Sequence, residues 1–308
     1  MPIYLPIAEL PVNALLILGL GVAVGFISGM FGVGGGFLMT PLLILTGIPP
    51  AVAVASVPSH MAASSFSGAI SYWRKRLVDF GLGFVLLSGA LVGTAVGVWF
   101  FGLLRRYGQL DLVVELSYLI MLGVVGSLML IESASAMIRS YRGAPAYVRR
   151  PGTHAWFHRL PLKVRFRQSR IYVSALPVTV IGFVVGFLGA IMGVGGGFLL
   201  IPALIYFMRV PTTVSVATSL FLTLITMLVA TVLHAVENRT VDVMLAFILM
   251  TGGVLGAQFG VRAGQAVRAE HLRLLLAILV VAVGLRVGID LVTTPADPYS
   301  VITTEDIE

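Results

Sequence analysis

The chain has 308 residues, of which 58% are hydrophobic and only 11% are charged. A water-soluble domain carries about 25% charged residues, so this composition excludes a soluble fold and predicts a polytopic, all-α membrane protein. The absence of cysteine excludes disulfides and thiolate metal sites, and the net charge of +7 is concentrated between apolar segments, so we expect no nucleic-acid partner.

Four segments of the first half are apolar and long enough to span a membrane, which takes about 20 residues in a helix. They are residues 12–31, 51–72, 80–101 and 112–138. Between the first two lies a short apolar segment, residues 36–48, whose length is typical of a broken or re-entrant helix. The first half therefore contains five predicted helical elements.

The second half repeats this series of four long elements and one short element. Its elements are residues 173–192, 197–208 (the short one), 213–236, 243–263 and 272–292. The sequence is repeated too, because GFISGMFGVGGGFLMTP at 25–41 and GFLGAIMGVGGGFLLIP at 186–202 share ten of seventeen positions. We divide the chain into a first membrane repeat (1–138), a basic linker (139–171), a second membrane repeat (172–292) and an acidic tail (293–308).

The distribution of basic residues predicts the orientation of the repeats, because cytoplasmic loops retain Lys and Arg. Residues 138–171 hold nine basic and no acidic residues, which predicts a cytoplasmic linker. If each short element crosses the membrane, the repeats have inverted topology, with residues 74–76 inside and both termini outside; only Arg105 and Arg106 then break the rule. If the short elements turn back, each half has four crossings and the repeats are not inverted.

Each half contains a Gly-Val-Gly-Gly-Gly run where a long element meets the short one. Glycine permits positive φ and close backbone approach, so the helix can break here, and such breaks survive in a membrane only when buried in protein or lining a cavity. The helix that follows points free N–H groups at that cavity, which suits an anion. The candidate substrate-binding glycines are Gly34, Gly35, Gly36, Gly195, Gly196 and Gly197. The alternative is that they only permit close helix crossing.

Polar side chains form a stripe along the third element of each half. Ser59, His60, Thr218 and Ser219 are candidates to contact the substrate, because they lie early in these helices, near the level of the glycine runs. Their alternative role is hydrogen bonding within the bundle. His60 is also a candidate for proton coupling, since imidazole titrates near physiological pH; alternatively it is a packed histidine.

Other chemistry has little support in the sequence. Asp79 and Asp242 directly precede long helices, where a helix N-cap explains them. The glycine runs are followed by Phe37 and Phe198 in place of the Lys of a phosphate-binding loop. We find no catalytic triad or metal-ligand spacing, and therefore predict a protein that is not an enzyme and has no cofactor or metal.

The doubled G-x6-G-V-G-G-G-F-L-x-x-P pattern, followed by Arg-x-Val-Asp at 76–79 and 239–242, resembles the TauE/SafE family of sulfite exporters. The resemblance covers roughly residues 12–292. It implies a permease for small sulfur-containing anions such as sulfite or sulfoacetate, with binding segments at the glycine runs and the polar helix starts after Pro49 and Pro211. Thiosulfate-importing relatives use cysteines, which this chain lacks.

These observations favour a secondary transporter in the cytoplasmic membrane that exports a small sulfur anion by alternating access. The expected partners are this anion, the lipid bilayer and a second copy of the chain in a homodimer. Two alternatives stay open: a passive channel or uniporter for other small organic acids, and a non-transporting assembly or sensor protein that uses the basic linker.

Overall fold

The computed structural model describes residues 2–31, 34–141, 163–166, 168–169, 171–208, 210–266 and 269–292. Within these residues the first half forms α1 (Ala14–Phe31), α2 (Gly36–Leu45), α3 (Pro50–Arg74), α4 (Phe80–Arg106) and α5 (Leu110–Tyr141). The second half forms α6 (Ala175–Met192), α7 (Gly196–Tyr206), α8 (Thr212–Leu233), α9 (Val243–Ala266) and α10 (Ala269–Val292). The ten predicted helical elements are thus present in the predicted order, two of them short.

The all-α membrane fold is confirmed by the lengths and compositions of the helices. Six helices of the described residues are long and apolar enough to cross a membrane. α3 is 25 residues long but more polar, and most of its residues are buried by other helices. α3 also runs through Pro58 without ending, and α8 ends in a single π-helical turn, His234–Asn238. Most of the linker and the acidic tail, residues 142–162 and 293–308, lie outside the described residues.

The predicted starts of the first and sixth helices were wrong by two residues, because a β-hairpin precedes each helix. β1 (Pro2–Leu5) pairs with β2 (Leu10–Asn13), and β3 (Lys163–Phe166) pairs with β4 (Ile171–Ser174), both antiparallel. The last residue of each hairpin caps the helix that follows. The Leu15 N–H donates to the Asn13 side chain at 3.1 Å, and the Leu176 N–H donates to Ser174 Oγ at 3.3 Å.

The halves are intertwined, since α1 packs along α9 and α6 packs along α4. Glycine residues along these helices permit this packing. A Cβ atom placed on Gly25 would lie 2.8 Å from the Gly253 Cα, and one placed on Gly186 would lie 2.9 Å from the Ala90 Cα. Contacts this close require glycine, because real Cβ atoms essentially never approach other atoms to less than 3.0 Å.

The last helices of the two halves, α5 and α10, contact each other in antiparallel register. Cβ atoms placed on three glycines define this register. The one on Gly126 would lie 2.9 Å from Val280 Cγ1, the one on Gly284 would lie 3.2 Å from Leu122 Cβ, and the one on Gly288 would lie 3.0 Å from Leu119 Cδ1. Corresponding helices of two repeats run antiparallel when the repeats have opposite directions. The inverted topology stays a prediction, which this register supports.

The predicted N-cap roles of Asp79 and Asp242 are confirmed, and each carboxylate also accepts a hydrogen bond from one of the two hairpins. Asp242 accepts from the Leu245 N–H at 3.1 Å and from the Ile7 N–H of the first hairpin at 2.9 Å. Asp79 accepts from the Leu82 N–H at 3.1 Å and from the Ser169 N–H at 2.8 Å. Ser169 lies in the turn of the second hairpin, so the end of the linker contacts the α3–α4 connection.

Candidate functional site at the glycine turns

Both glycine runs adopt backbone conformations that other residues rarely adopt. In the first run Gly34 has φ 89° and Gly35 has φ 69°, and in the second Gly193 has φ 66° and Gly195 has φ 70°. A side chain is strained at these φ values, so glycine is required for the chain to reverse. We call residues 34–36 the first glycine turn and residues 193–197 the second; Gly32 and Val33 lie outside the described residues. The predicted break before each short helix is confirmed.

The two glycine turns meet inside the bundle. A Cβ atom placed on Gly36 would lie 2.7 Å from the carbonyl oxygens of both Gly193 and Val194. Directly after the turns, the rings of Phe37 and Phe198 stack with centroids 4.3 Å apart and planes at 15°. The first turns of α2 and α7 are therefore brought together, and both helices begin at this junction.

The lengths of the short helices indicate that this junction lies deep within the helix bundle. α2 has 10 residues and α7 has 11, so each is about 15 Å long, half the thickness of a hydrocarbon core of about 30 Å. Gly35 packs beside Val24 and Ser28, in the last two turns of α1, and the residues of both glycine turns are buried. The glycine turns thus lie between the ends of the long helices rather than at a surface.

Met61 of α3 fills the space between the glycine turns. A Cβ atom placed on Gly34 would lie 2.9 Å from Met61 Cε, and one placed on Gly36 or Gly195 would overlap the Met61 thioether. The Met61 side chain is fully buried. The glycines therefore make room for this side chain, and the junction is closed in this structure.

Two buried hydroxyls beside the junction have no hydrogen-bond partner in the structure, Ser65 Oγ of α3 and Thr223 Oγ1 of α8. Ser65 Oγ lies 3.9 Å from a Cβ position on Gly34, and Thr223 Oγ1 lies 3.9 Å from one on Gly196. Both residues are fully buried. An unsatisfied buried hydroxyl costs about 1–3 kcal/mol, so two of them at one point mark donors available to a ligand. We call Ser65 and Thr223 the central hydroxyl pair.

Three hydroxyls predicted to bind substrate make bonds within the fold. Ser59 Oγ donates to the Ser56 carbonyl at 2.6 Å, and Ser219 Oγ donates to the Val216 carbonyl at 2.9 Å. Thr218 Oγ1 accepts from the Asp79 N–H at 3.3 Å. The structure thus brings together the six predicted glycines, but gives these hydroxyls partners in their own helix or in the other half.

His60 packs against α9. Its ring lies beside Gly253, and Nδ1 is 2.7 Å from the Leu249 carbonyl oxygen. A carbonyl only accepts, so Nδ1 carries the proton and the bare nitrogen is Nε2, which has no partner in the structure. Gly253 allows the ring to approach, since a Cβ there would overlap the imidazole. The geometry resembles a packed histidine, the alternative considered for this residue.

Sequence reasoning missed Met61 and Ser65. The repeat alignment from Pro49 and Pro211 onward pairs Met61 with Thr223 and Ser65 with Met227, so each half contributes one hydroxyl and one thioether. The swapped order of methionine and hydroxyl residues at these equivalent positions was the sequence feature that could have pointed to Met61 and Ser65.

A polar brace holds the second glycine turn on one side. The Tyr118 hydroxyl of α5 donates to the Met192 carbonyl at 2.7 Å, and Thr40 of α2 lies 3.5 Å from the Gly193 carbonyl. Tyr118 and Thr40 are both buried. The position of the second turn is therefore set by two helices of the other half.

The junction contains no cationic side chain among the residues that the structure describes. Every Lys and Arg whose side chain is described is exposed. The donors nearest the junction are therefore the N-terminal ends of α2 and α7, although the Gly36, Leu38 and Met39 N–H groups of α2 already donate to the Gly34 and Gly35 carbonyls. This arrangement can bind a small anion through N–H and hydroxyl donors.

Comparison with known proteins gives a family. The model of the family described as "Sulfite exporter TauE/SafE" matches residues 17–287. A probable membrane transporter, YunE of Bacillus subtilis, is 23% identical over 283 residues, covering 86% of this chain and 93% of the relative. A probable membrane transporter of Xylella fastidiosa is 29% identical, covering 80% and 84%. Sulfite exporter TauE/SafE family protein 1 of Arabidopsis thaliana is 32% identical, covering 34% and 22%. No matching solved structure was found.

Proposed function

Since this chain belongs to the sulfite exporter TauE/SafE family and is a membrane transporter, we propose that it exports a small sulfur-containing anion, such as sulfite or sulfoacetate, across the cytoplasmic membrane. The observation that carries this proposal is the meeting of two half-length helices, N-terminus to N-terminus, beside two unpartnered hydroxyls. In transporters built from repeats, such broken helices hold the substrate near the middle of the membrane.

The proposed binding site consists of the two glycine turns and the central hydroxyl pair. Ser65 and Thr223 come from different halves, so an anion that accepts from both hydroxyls joins the halves at their shared surface. Movement of one half against the other then exposes the anion to one side of the membrane at a time. Met61 has to leave the junction before the anion enters, which makes the structure described here a closed state.

The inverted topology is part of the proposal. It is supported by the antiparallel register of α5 against α10, since four crossings in each half would make these two helices parallel. The parallel register of α1 against α9 and the contact between Ser169 and Asp79 agree with both topologies.

The test is efflux of sulfite from loaded proteoliposomes that contain the purified full chain. Ser65→Ala and Thr223→Val each remove one central hydroxyl. A hydrogen bond to a charged ligand contributes about 1.5–3 kcal/mol. We therefore expect each variant to need a sulfite concentration roughly 10- to 150-fold higher for half-maximal efflux, because it binds sulfite that much more weakly.

The matched controls are neighbouring hydroxyls already bonded to their own helices. Ser64 Oγ donates to the Met61 carbonyl at 3.2 Å, and Thr226 Oγ1 donates to the Leu222 carbonyl at 2.9 Å. We expect Ser64→Ala and Thr226→Val to retain efflux close to that of the wild type. Equal losses in the controls and the test variants would refute the site, and efflux that fails to saturate with sulfite would favour the passive channel.

A further inference from the structure

We propose that the site at the glycine turns accepts oxyanions with one negative charge and rejects those with two. This inference rests on the proposed function and narrows its substrate class. The observations that carry it are the charge available at the junction, the number of donors there and the apolar side chains around them.

The positive charge at the junction is at most about one elementary charge. Each helix N-terminus is equivalent to roughly +0.5 of an elementary charge, and two such ends, those of α2 and α7, meet here. The C-terminal end of α6 and the Gly193 and Val194 carbonyl oxygens lie beside them and lower this total, and the described Lys and Arg side chains are exposed. The junction can therefore balance no more than one negative charge, and a second is left without compensation.

The number of hydrogen-bond donors is also small. In the first glycine turn the Gly36 N–H already donates to the Gly34 carbonyl at 3.0 Å, and the Leu38 and Met39 N–H groups donate to the Gly35 carbonyl at 3.1 and 3.2 Å. The donors that remain available to an anion are the central hydroxyl pair and the other first-turn N–H groups of α2 and α7. A doubly charged anion needs more donors than this to replace its water shell.

The surroundings of the junction are apolar. Met61 and Met227 are fully buried, and the stacked rings of Phe37 and Phe198 close the junction beside the short helices. Transfer of an ion into such a medium costs several kcal/mol even after relaxation, and the Born energy rises with the square of the charge. A dianion therefore has about four times the desolvation cost of a monoanion of the same size, against the same fixed donors.

This selectivity distinguishes among the sulfur anions that the family resemblance suggests. Sulfoacetate carries both a carboxylate and a sulfonate and is doubly charged near neutral pH, so the site disfavours it. Sulfite exists near neutral pH as a mixture of hydrogensulfite and the dianion, and the site selects hydrogensulfite. Singly charged sulfonates are expected to bind as well.

The experiment compares methanesulfonate with sulfate, two tetrahedral sulfur oxyanions of similar size that carry one and two negative charges, methanesulfonate having a methyl group in place of one oxygen. Binding of each to the purified full chain is measured by titration calorimetry and by thermal shift, at constant ionic strength and neutral pH. We expect sulfate to bind at least roughly 100-fold more weakly than methanesulfonate, because the uncompensated charge costs several kcal/mol. Ser65→Ala combined with Thr223→Val is expected to abolish methanesulfonate binding, whereas Ser64→Ala combined with Thr226→Val retains it.

The possible outcomes separate this inference from the proposed function. Sulfate binding as tight as, or tighter than, methanesulfonate binding, with both lost in the double variant of the central hydroxyl pair, would overturn the charge selectivity and leave the anion site standing. Binding of neither anion to a folded wild-type chain would overturn the anion site and the inference together. Methanesulfonate binding that survives in the double variant would overturn the assignment to the glycine turns.

Discussion

Replacement of Met61 by alanine tests whether the space between the glycine turns is the space that the substrate occupies. The Met61 side chain is fully buried and lies against Gly34, Gly36 and Gly195. Truncation of a buried methionine to alanine costs about 2–5 kcal/mol, because it removes apolar contacts and leaves a cavity. We therefore expect Met61→Ala to lower the melting temperature of the anion-free protein.

Anion binding should change in the opposite direction. The wild-type chain has to move the thioether before an anion can enter, whereas Met61→Ala offers the space already open, so we expect it to bind methanesulfonate more tightly. Ligand that binds only the folded state stabilises it by RT ln(1 + [L]/Kd), or about 2.7 kcal/mol at a concentration 100 times Kd. A thermal-shift titration of both proteins measures the difference.

Met208→Ala is the matched control. Met208 is also buried but follows the last turn of α7, so the 11-residue helix separates it by about 15 Å from the glycine turns. We expect it to lose comparable stability without a gain in anion affinity. The reasoning fails if methanesulfonate stabilises Met61→Ala no more than the wild type, or if both alanine variants gain affinity equally.

Two further predictions concern the architecture. Asp242→Ala removes a buried carboxylate that accepts two backbone hydrogen bonds, each worth about 1.5–3 kcal/mol, so we expect a loss of roughly 3–6 kcal/mol in unfolding free energy, measured by denaturant titration in detergent; a loss below about 1 kcal/mol would contradict the bonding described here. Because the chain has no cysteine, single cysteines at the exposed positions Lys75 and Glu237 can be labelled selectively in intact cells. Inverted repeats predict that impermeant maleimide labels Glu237→Cys and not Lys75→Cys. Labelling of neither in intact cells, with both labelled after permeabilisation, would refute the inverted topology.

The elements and their order were predictable because the features that produce them are local. Apolar segments of membrane-spanning length became helices, and the glycine runs became breaks because glycine adopts the positive φ of Gly35 and Gly195 without the strain that a side chain brings. Asp79 and Asp242 became N-caps because a carboxylate at that position satisfies N–H groups of its own helix. The hairpins before α1 and α6 were not predicted, since apolar residues such as Val12 and Val173 fit a strand as well as a helix start.

The face of α3 that contacts the glycine turns could not be predicted from such local features. Nearly all of its first half is buried, so the polar stripe does not reveal which side meets α9 and which side meets the glycine turns. Sequence reasoning favoured Ser59 and His60, but His60 packs on Leu249, and the residues at the junction are Met61 and Ser65.

The sequence alone determined that this is a duplicated membrane protein with two glycine breaks, because hydropathy, repetition and backbone conformation depend on residues close together in the chain. Only the tertiary structure decided that the two breaks meet, that Met61 fills the space between them, and that Ser65 and Thr223 are left without partners. Those facts depend on which faces of α3 and α8 turn toward the short helices, and packing between the two halves sets that orientation.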